Sequence, residues 1–134
     1  MDLAAVMDEV GDALDTIDGL RVHRWPADNV QPPAAVVTYP AEYRFDETYG
    51  RGMDRLVLPV VVLVGRPSER SARDLLGAYV NGSGASSVKA KVEAHTYTAC
   101  HTVRVESVEF DVVNVAGVDY LAATFTHDIT GTGA

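Results

Sequence analysis

Cysteine is almost missing. The one thiol, Cys100, has no partner for an internal disulfide and cannot build a zinc cluster alone, which fits a chain folded in reducing cytoplasm. Long apolar runs are missing too. None reaches the roughly 18 residues a membrane-spanning helix needs, and Asp2, Asp8 and Glu9 fill the stretch where a secretion signal carries positive charge. The expectation is a soluble chain with no export signal and no membrane partner. Basic residues are in short supply: 11 against 19 acidic ones leave a formal net charge of -8, which excludes tight capture of phosphate backbones by counterion release. No internal repeat or low-complexity segment is evident. What is present suffices for a single domain over residues 1–134, since 47% hydrophobic content lets a chain of this size bury a core while two domains would be cramped.

Leu3, Val6, Met7, Val10, Leu14 and Ile17 recur at three- and four-residue steps, the stripe of an amphipathic helix of about four turns that Gly19 stops. Its other side holds Asp8, Glu9, Asp12 and Asp15 without a lysine or arginine, so an unpaired acidic face is expected. Asp15 and Asp18 also oppose the helix dipole. Leu20 to Trp25 reads as a short strand ended by Pro26, Pro26 to Pro33 as loop, and Ala34 to Tyr39 as a second strand. Pro40 to Gly52 is a long polar connection, either a hairpin arm or a binding loop.

Leu56 to Val64 is the most apolar run and β-branched enough to be a strand. Its lack of alternation predicts burial on both faces, and Pro59, which cannot donate to a ladder, predicts an edge position or a bulge. An edge strand buried on both faces needs cover from elsewhere, and self-association is expected to supply it. A helix capped by Ser68 follows, with Ala72, Leu75, Leu76, Tyr79 and Val80 as its stripe, ended by Asn81 to Gly84. A shorter helix with Val88 and Val92 starts behind Ser87. The last third predicts a hairpin from His101 to Ile129 turning at Ala116 and Gly117. Its apolar phase switches between Val103, Val105 and Val108, Phe110, Val112, which predicts a β-bulge near Glu106 or Ser107. Leu121, Ala123, Phe125 and Ile129 share one face of the return strand and Tyr120, Thr124, Thr126 and Asp128 the other, with Thr130 to Ala134 as a frayed tail.

Candidate chemistry is thin. Cys100 beside His101 has the residue types of an activated cysteine nucleophile, but adjacent residues of an extended chain point to opposite faces, so a buried structural cysteine is expected. His95, His101, Glu109 and Asp111 are metal-ligating types at spacings that match no ligand pattern. Asn81 to Ser87 is glycine-rich but lacks the lysine of a phosphate loop and follows no strand. Glu109 and Asp111 share a strand face that reads as a solvent or subunit-contact surface rather than an acid/base pair. No nucleophile, base and oxyanion donor can be assembled. The expectation is a protein that is not an enzyme, with no catalytic residue, cofactor or metal.

The order of elements is informative where the pieces are not. An acidic helix, two strands around Trp25-Pro26, a proline-rich loop and the Leu56 to Val64 strand come first. A helix opening on Arg66-Pro67-Ser68, a Ser87 to Ala94 segment, a Thr102 to Glu106 strand and a Tyr120 to Thr126 strand complete the series. Over nearly the whole chain this resembles the tail terminator proteins of long-tailed (siphovirus-type) phages, particularly those infecting actinobacteria. The resemblance implies an α+β subunit, helices packed on one face of a mostly antiparallel β-sheet with a C-terminal β-hairpin, assembled as a hexameric ring. That ring would sit in the virion at the head-proximal end of the tail, made in host cytoplasm. It would stop the polymerisation of the tail tube protein and meet the head-tail connector or stopper protein, with DNA passing through an acid-lined lumen. The family supplies no catalytic residue. For subunit or tube contact, the aromatic-rich connection Tyr39 to Gly52 is the place to look, with Tyr43, Arg44, Phe45, Tyr49 and Arg51 as candidates, since tyrosine and arginine are favoured in interface cores. Rival readings are another neck or tail component, such as a head-tail stopper, a connector or the tube protein, and a small monomeric α+β ligand-binding domain or enzyme. Closed rings without long tubes separate the first group; a concave polar pocket would mark the second.

Overall fold

The computed structural model describes residues 1–25, 31–45, 52–115 and 117–132. In chain order the elements are α1 (Leu3–Leu14), β1 (Arg21–His23), β2 (Ala34–Val37), β3 (Glu42–Arg44), β4 (Met53–Gly65), α2 (Arg70–Val80), α3 (Val88–Ala94), β5 (Thr102–Val115) and β6 (Val118–Thr132). The six strands form one sheet in the order β1-β2-β4-β6-β5, with β3 pairing β4 near its start. Only β1 and β2 run parallel; the other pairings are antiparallel. All three helices lie on one face of this sheet, the expected α+β arrangement, and the core lies between the two layers.

Val6, Met7, Val10, Leu14 and Ile17 are buried as their spacing predicts. The Asp2 carboxylate accepts from Ala5 N at 3.2 Å and caps the helix, satisfying one of its orphan amides. Regular helix ends at Leu14, and the chain reverses at Gly19, whose φ of +79° only glycine adopts without strain. The expected unpaired acidic face is overturned. Arg24, just past β1, lies back across α1 and donates to Asp12 at 2.6 Å and Asp15 at 2.8 Å. It reaches them because residue 11 is glycine: a Cβ there would stand 2.5 Å from Arg24 Cγ. Glu9 accepts from the backbone N–H groups of Thr98 and Ala99, each at 3.1 Å to Oε2. Partial desolvation pushes the Glu9 carboxyl up, but hydrogen bonds from the Thr98 hydroxyl and these two amides outweigh it and hold it below its usual range. Both partners come from outside the helix, where charge counting along α1 does not look.

β4 is central rather than at an edge. Leu56, Leu58, Val60 and Val62 face the helices fully buried, while Val57, Pro59 and Val61 between them are half-buried on the helix-free face. The alternation is real, but apolar residues at both kinds of position hide it. Pro59 marks neither an edge strand nor a bulge. On one side of β4, β2 pairs with Val60 to Leu63 and β3 with Arg55 to Val57, and Pro59 falls in the gap between them. Its carbonyl accepts from Thr38 N at 3.1 Å and Thr38 Oγ1 at 2.7 Å, so the missing N–H lies where the partner strand changes. The register shift in β4 is at Leu63/Gly65 instead. Self-association therefore gains no support from β4.

The Ser68 cap is also corrected: Glu69 N donates to Arg66 O at 3.0 Å, closing a turn through Pro67 and Ser68, and Glu69 becomes the N-cap without a side-chain bond. Of the α2 stripe, Ala72 and Tyr79 are fully buried, while Leu75 is exposed. Ser87 caps α3 as expected, its Oγ accepting from Ala90 N at 3.1 Å. The hairpin pairs from Thr102↔Thr130 to Val115↔Val118, with the predicted bulge between Val105 and Ser107. β6 continues through Thr132, so residues 130–132 are strand rather than frayed tail; His101 N donates to Thr130 O at 2.8 Å and holds them.

His127 lies on the helix side between Phe125 and Ile129, fully buried. Its Nδ1 is 3.0 Å from Phe125 O, and Nε2 has no hydrogen-bond partner. Burial pushes its pKa down to about 4, so the imidazole is neutral in the fold.

Two predictions follow from these contacts. Gly11→Ala should be near neutral in the wild-type chain, because about 1 kcal/mol of helix propensity is offset by displacing Arg24, yet stabilising in an Arg24→Ala background. A double-mutant cycle measures the coupling, and strictly additive values would mean that Arg24 does not rest on Gly11. His127 should make stability fall as pH drops, because the unfolded imidazole takes up a proton from about pH 6.5 downward and the folded one resists until about 4. Between about pH 7.5 and about pH 5 the loss attributable to it is about 2 kcal/mol, and His127→Leu should remove that part of the slope in urea titrations.

Candidate functional site

Three strands, β1, β2 and β3, run in the same direction on one side of β4, and each is followed within two residues by an exposed aromatic side chain. These are Trp25, 63% exposed, then Tyr39 and Phe45, the last 74% exposed. On the far edge of the sheet, β5 carries Phe110, 56% exposed, and Val112 on the same face as the helices. Their phase matches Val108, as the sequence predicts, but the helical layer does not extend over them. Exposed apolar side chains thus gather at two opposite edges of one sheet.

Of the sequence-derived candidates, Tyr49 and Arg51 lie outside the described residues, and Tyr43, Arg44 and Phe45 fall on or just after β3. Tyr43 is not a displayed anchor. Its side chain points to the helix side, where its hydroxyl donates to Asp54 Oδ2 at 2.8 Å and its ring lies 4.9 Å from that of Phe45. Asp54 is 3% exposed, and burial together with this bond pushes the Tyr43 phenol up. Arg44 Nε donates to Glu42. Phe45 presents its ring to solvent, and Arg44, though paired with Glu42, is exposed as well. Trp25 and Phe110 are surface features that sequence reasoning missed as contact candidates. The available signal for Trp25 was a large aromatic at a strand end before proline.

The helix-free face has two characters. Leu63 and Ala122 are buried there with Ala34 and Val36, shielded by Val61, Val113 and Tyr120. Towards the other end the face turns polar, with Thr124, Thr126 and Thr130, and Arg55 Nε donates to Asp128 at 2.5 Å. The exposed β5 edge is partly closed by α3: Glu93 Oε2 accepts from Val105 N at 3.0 Å and from Lys89 at 2.7 Å. A satisfied amide at the bulge and charged neighbours blunt this edge against strand addition.

Residues weighed for chemistry are dispersed. Cys100 is buried and its thiol is pushed up to about 11 by burial, so it is not the thiolate a nucleophile needs. His101 turns outward, with Nε2 2.8 Å from Thr132 Oγ1. His95 caps α3 and meets Tyr97 edge-on at 4.9 Å, while Glu109 and Asp111 sit further along β5, paired with Thr124 and Ala122. Among the described residues no three of the histidine, cysteine and carboxylate side chains gather as a metal site. A hollow of about 390 Å³ lined by Tyr97 to His101 and Thr132 is open and shallow. Together the fold and this site define an α+β protein whose most distinctive surface features are exposed apolar side chains at two edges of one sheet. No protein-family model and no curated protein matches the chain.

Tyr43→Phe should cost about 1–3 kcal/mol, because buried Asp54 loses a donor, whereas Phe45→Ser should change stability by less than about 0.5 kcal/mol. Urea unfolding of both variants is the check; an equal loss for Phe45→Ser would show that its ring is packed and not displayed.

Proposed function

We propose that this chain is the tail terminator of a long-tailed phage, a structural virion subunit without catalytic activity. It closes into a ring, most simply of six copies, at the head-proximal end of the tail tube, stops tube polymerisation and offers its other surface to the head-side connector. The observation that carries this reading is the placement of exposed apolar side chains on opposite edges: Trp25, Tyr39 and Phe45 on one, Phe110 and Val112 on the other. A subunit with two different sticky edges associates head to tail, and head-to-tail contacts close into rings when the rotation per subunit closes. Strand addition is the alternative use of an edge, and the β5 edge is blunted against it. The order of elements along the chain supports the same role, and a net charge of -8 suits a channel that DNA must traverse without sticking.

Light scattering and negative-stain microscopy of the purified protein, with and without tail tubes, test the proposal. Closed rings of about six copies, alone or seated at tube ends, are expected. A chain that remains monomeric at high concentration and ignores tube ends would sink it.

A further inference from the structure

Asn81-Gly82 is the chain's single asparagine-glycine pair, and it lies in the exposed linker between α2 and α3. A glycine after asparagine gives the backbone nitrogen its least hindered path to the side-chain carbonyl carbon, because glycine has no Cβ. The fold leaves that nitrogen free. Among the described residues the Gly82 N–H has no hydrogen-bond partner, and nothing stands within 4 Å of where a Cβ would be. The electrophile is held in place as well. Asn81 Oδ1 accepts from Ser83 N at 3.3 Å, so a backbone donor already faces the oxygen on which negative charge develops when Cγ is attacked. Asn114 is the contrast: it precedes β-branched Val115 within β5, its Nδ2 donates to Asp119 Oδ1 at 3.0 Å, and its Oδ1 accepts from Gly117 N at 3.2 Å.

We propose that Asn81 is a site of spontaneous deamidation, with the Gly82 nitrogen as nucleophile and the Ser83 N–H as the donor to the oxyanion. The Gly82 nitrogen loses its proton to solvent base and bonds to Asn81 Cγ. The Cγ–Nδ2 bond then breaks, and the amide nitrogen leaves as ammonia with a proton from solvent. One water opens the resulting succinimide. Attack at Cγ gives aspartate, and attack at the main-chain carbonyl carbon gives isoaspartate, whose backbone runs through the side chain.

The fold couples this chemistry to α3. The Asn81 main-chain carbonyl accepts from Ser87 Oγ, which in turn accepts from Ala90 N as the cap of α3. In isoaspartate that carbonyl becomes a free carboxylate and an extra methylene enters the backbone, so the support of the cap is lost. The new charge also stands at the C-terminus of α2, where the helix dipole disfavours it.

Incubation of the purified chain at neutral pH and body temperature, native and in urea, tests the site. Peptide mass spectrometry reads the exchange of ammonia for water, and an isoaspartyl methyltransferase assay reads isoaspartate. Native Asn81 should convert at a rate within about tenfold of that in urea, since an exposed linker opens at almost no cost, while native Asn114 stays intact. Circular dichroism confirms that Gly82→Val and Ser83→Pro fold. Gly82→Val should then slow conversion about tenfold or more through its branched Cβ, and Ser83→Pro, which lacks the N–H, about threefold to tenfold. Aged wild-type protein should unfold at a lower urea midpoint than fresh protein, and aged Gly82→Val should not. Native Asn81 that stays intact while the chain in urea reacts, or that converts no faster than Asn114, would overturn the site, as would an unchanged rate in Gly82→Val. A Ser83→Pro rate equal to wild type would remove the Ser83 donor from the proposal, and an unchanged midpoint on ageing would remove the coupling to α3.

Discussion

β4 pairs with β6 from Met53↔Thr132 to Gly65↔Leu121 on one side and with β2 and then β3 on the other, and the remaining elements attach to that ladder. Its helix-side residues Leu56, Leu58, Val60 and Val62 give the core its floor, on which Val10 and Leu14 of α1, Tyr79 of α2 and Val92 of α3 close. Each such side chain contributes roughly 1.5–3 kcal/mol by leaving water. A strand paired on both sides has no room for a proline except where the partner changes, and the break between β2 and β3 meets that condition at Pro59. The connection that departs there turns Tyr39 outward and sets β3 down again a few residues on, so the same constraint that seats the proline creates an aromatic-bearing edge.

Charge is distributed by tertiary partners rather than by local sequence. Glu9 ties α1 to the segment before β5, Glu93 ties α3 to the bulge in β5, and Arg24 folds over Gly11 to hold Asp12 and Asp15. Half-exposed pairs of this kind add little stability each. Their larger effect is to fix α1 and α3 on one sheet face, and the Arg24 cluster leaves the Asp12 and Asp15 side of α1 net negative. Neutral His127, buried between β4 and β5, is the opposite case: a polar group whose charged form the core rejects, and whose unbonded Nε2 costs stability that a leucine would not.

The surfaces left over after the core is satisfied carry the proposed contacts. The helices cover the sheet incompletely, so Phe110 and Val112 continue the inward phase of β5 past the end of their cover. On the other side, three strands are each followed by an exposed aromatic, Trp25, Tyr39 and Phe45. A monomer keeps such patches small, and the two on opposite edges are where the proposed ring contacts would form. Among the described residues the candidates for chemistry do not converge: Cys100 is buried as a thiol, and His95, His101, Glu109 and Asp111 are spread along and beside β5.

Much of the fold was legible in one dimension because its signals are local. The α1 stripe, the Ser87 cap, the hairpin with its bulge at Val105/Ser107 and the two faces of β6 all follow from periodicities of 3.6 and 2 and from turn chemistry. The resemblance to a ring-forming family also came from the order of those elements. Tertiary structure alone decided the rest. Whether β4 was central or at an edge depended on which strands chose to pair with it, and a run of apolar residues on both faces carries no record of that choice. Whether the acids of α1 were bare depended on Arg24, Thr98 and Ala99, which reach them only after the chain folds back. Whether Tyr43 was a contact residue depended on a buried Asp54 eleven residues away. Whether Phe110 was core or surface depended on how far α2 extends over the sheet. Periodicity assigns a side chain to a face; only packing determines whether anything covers that face.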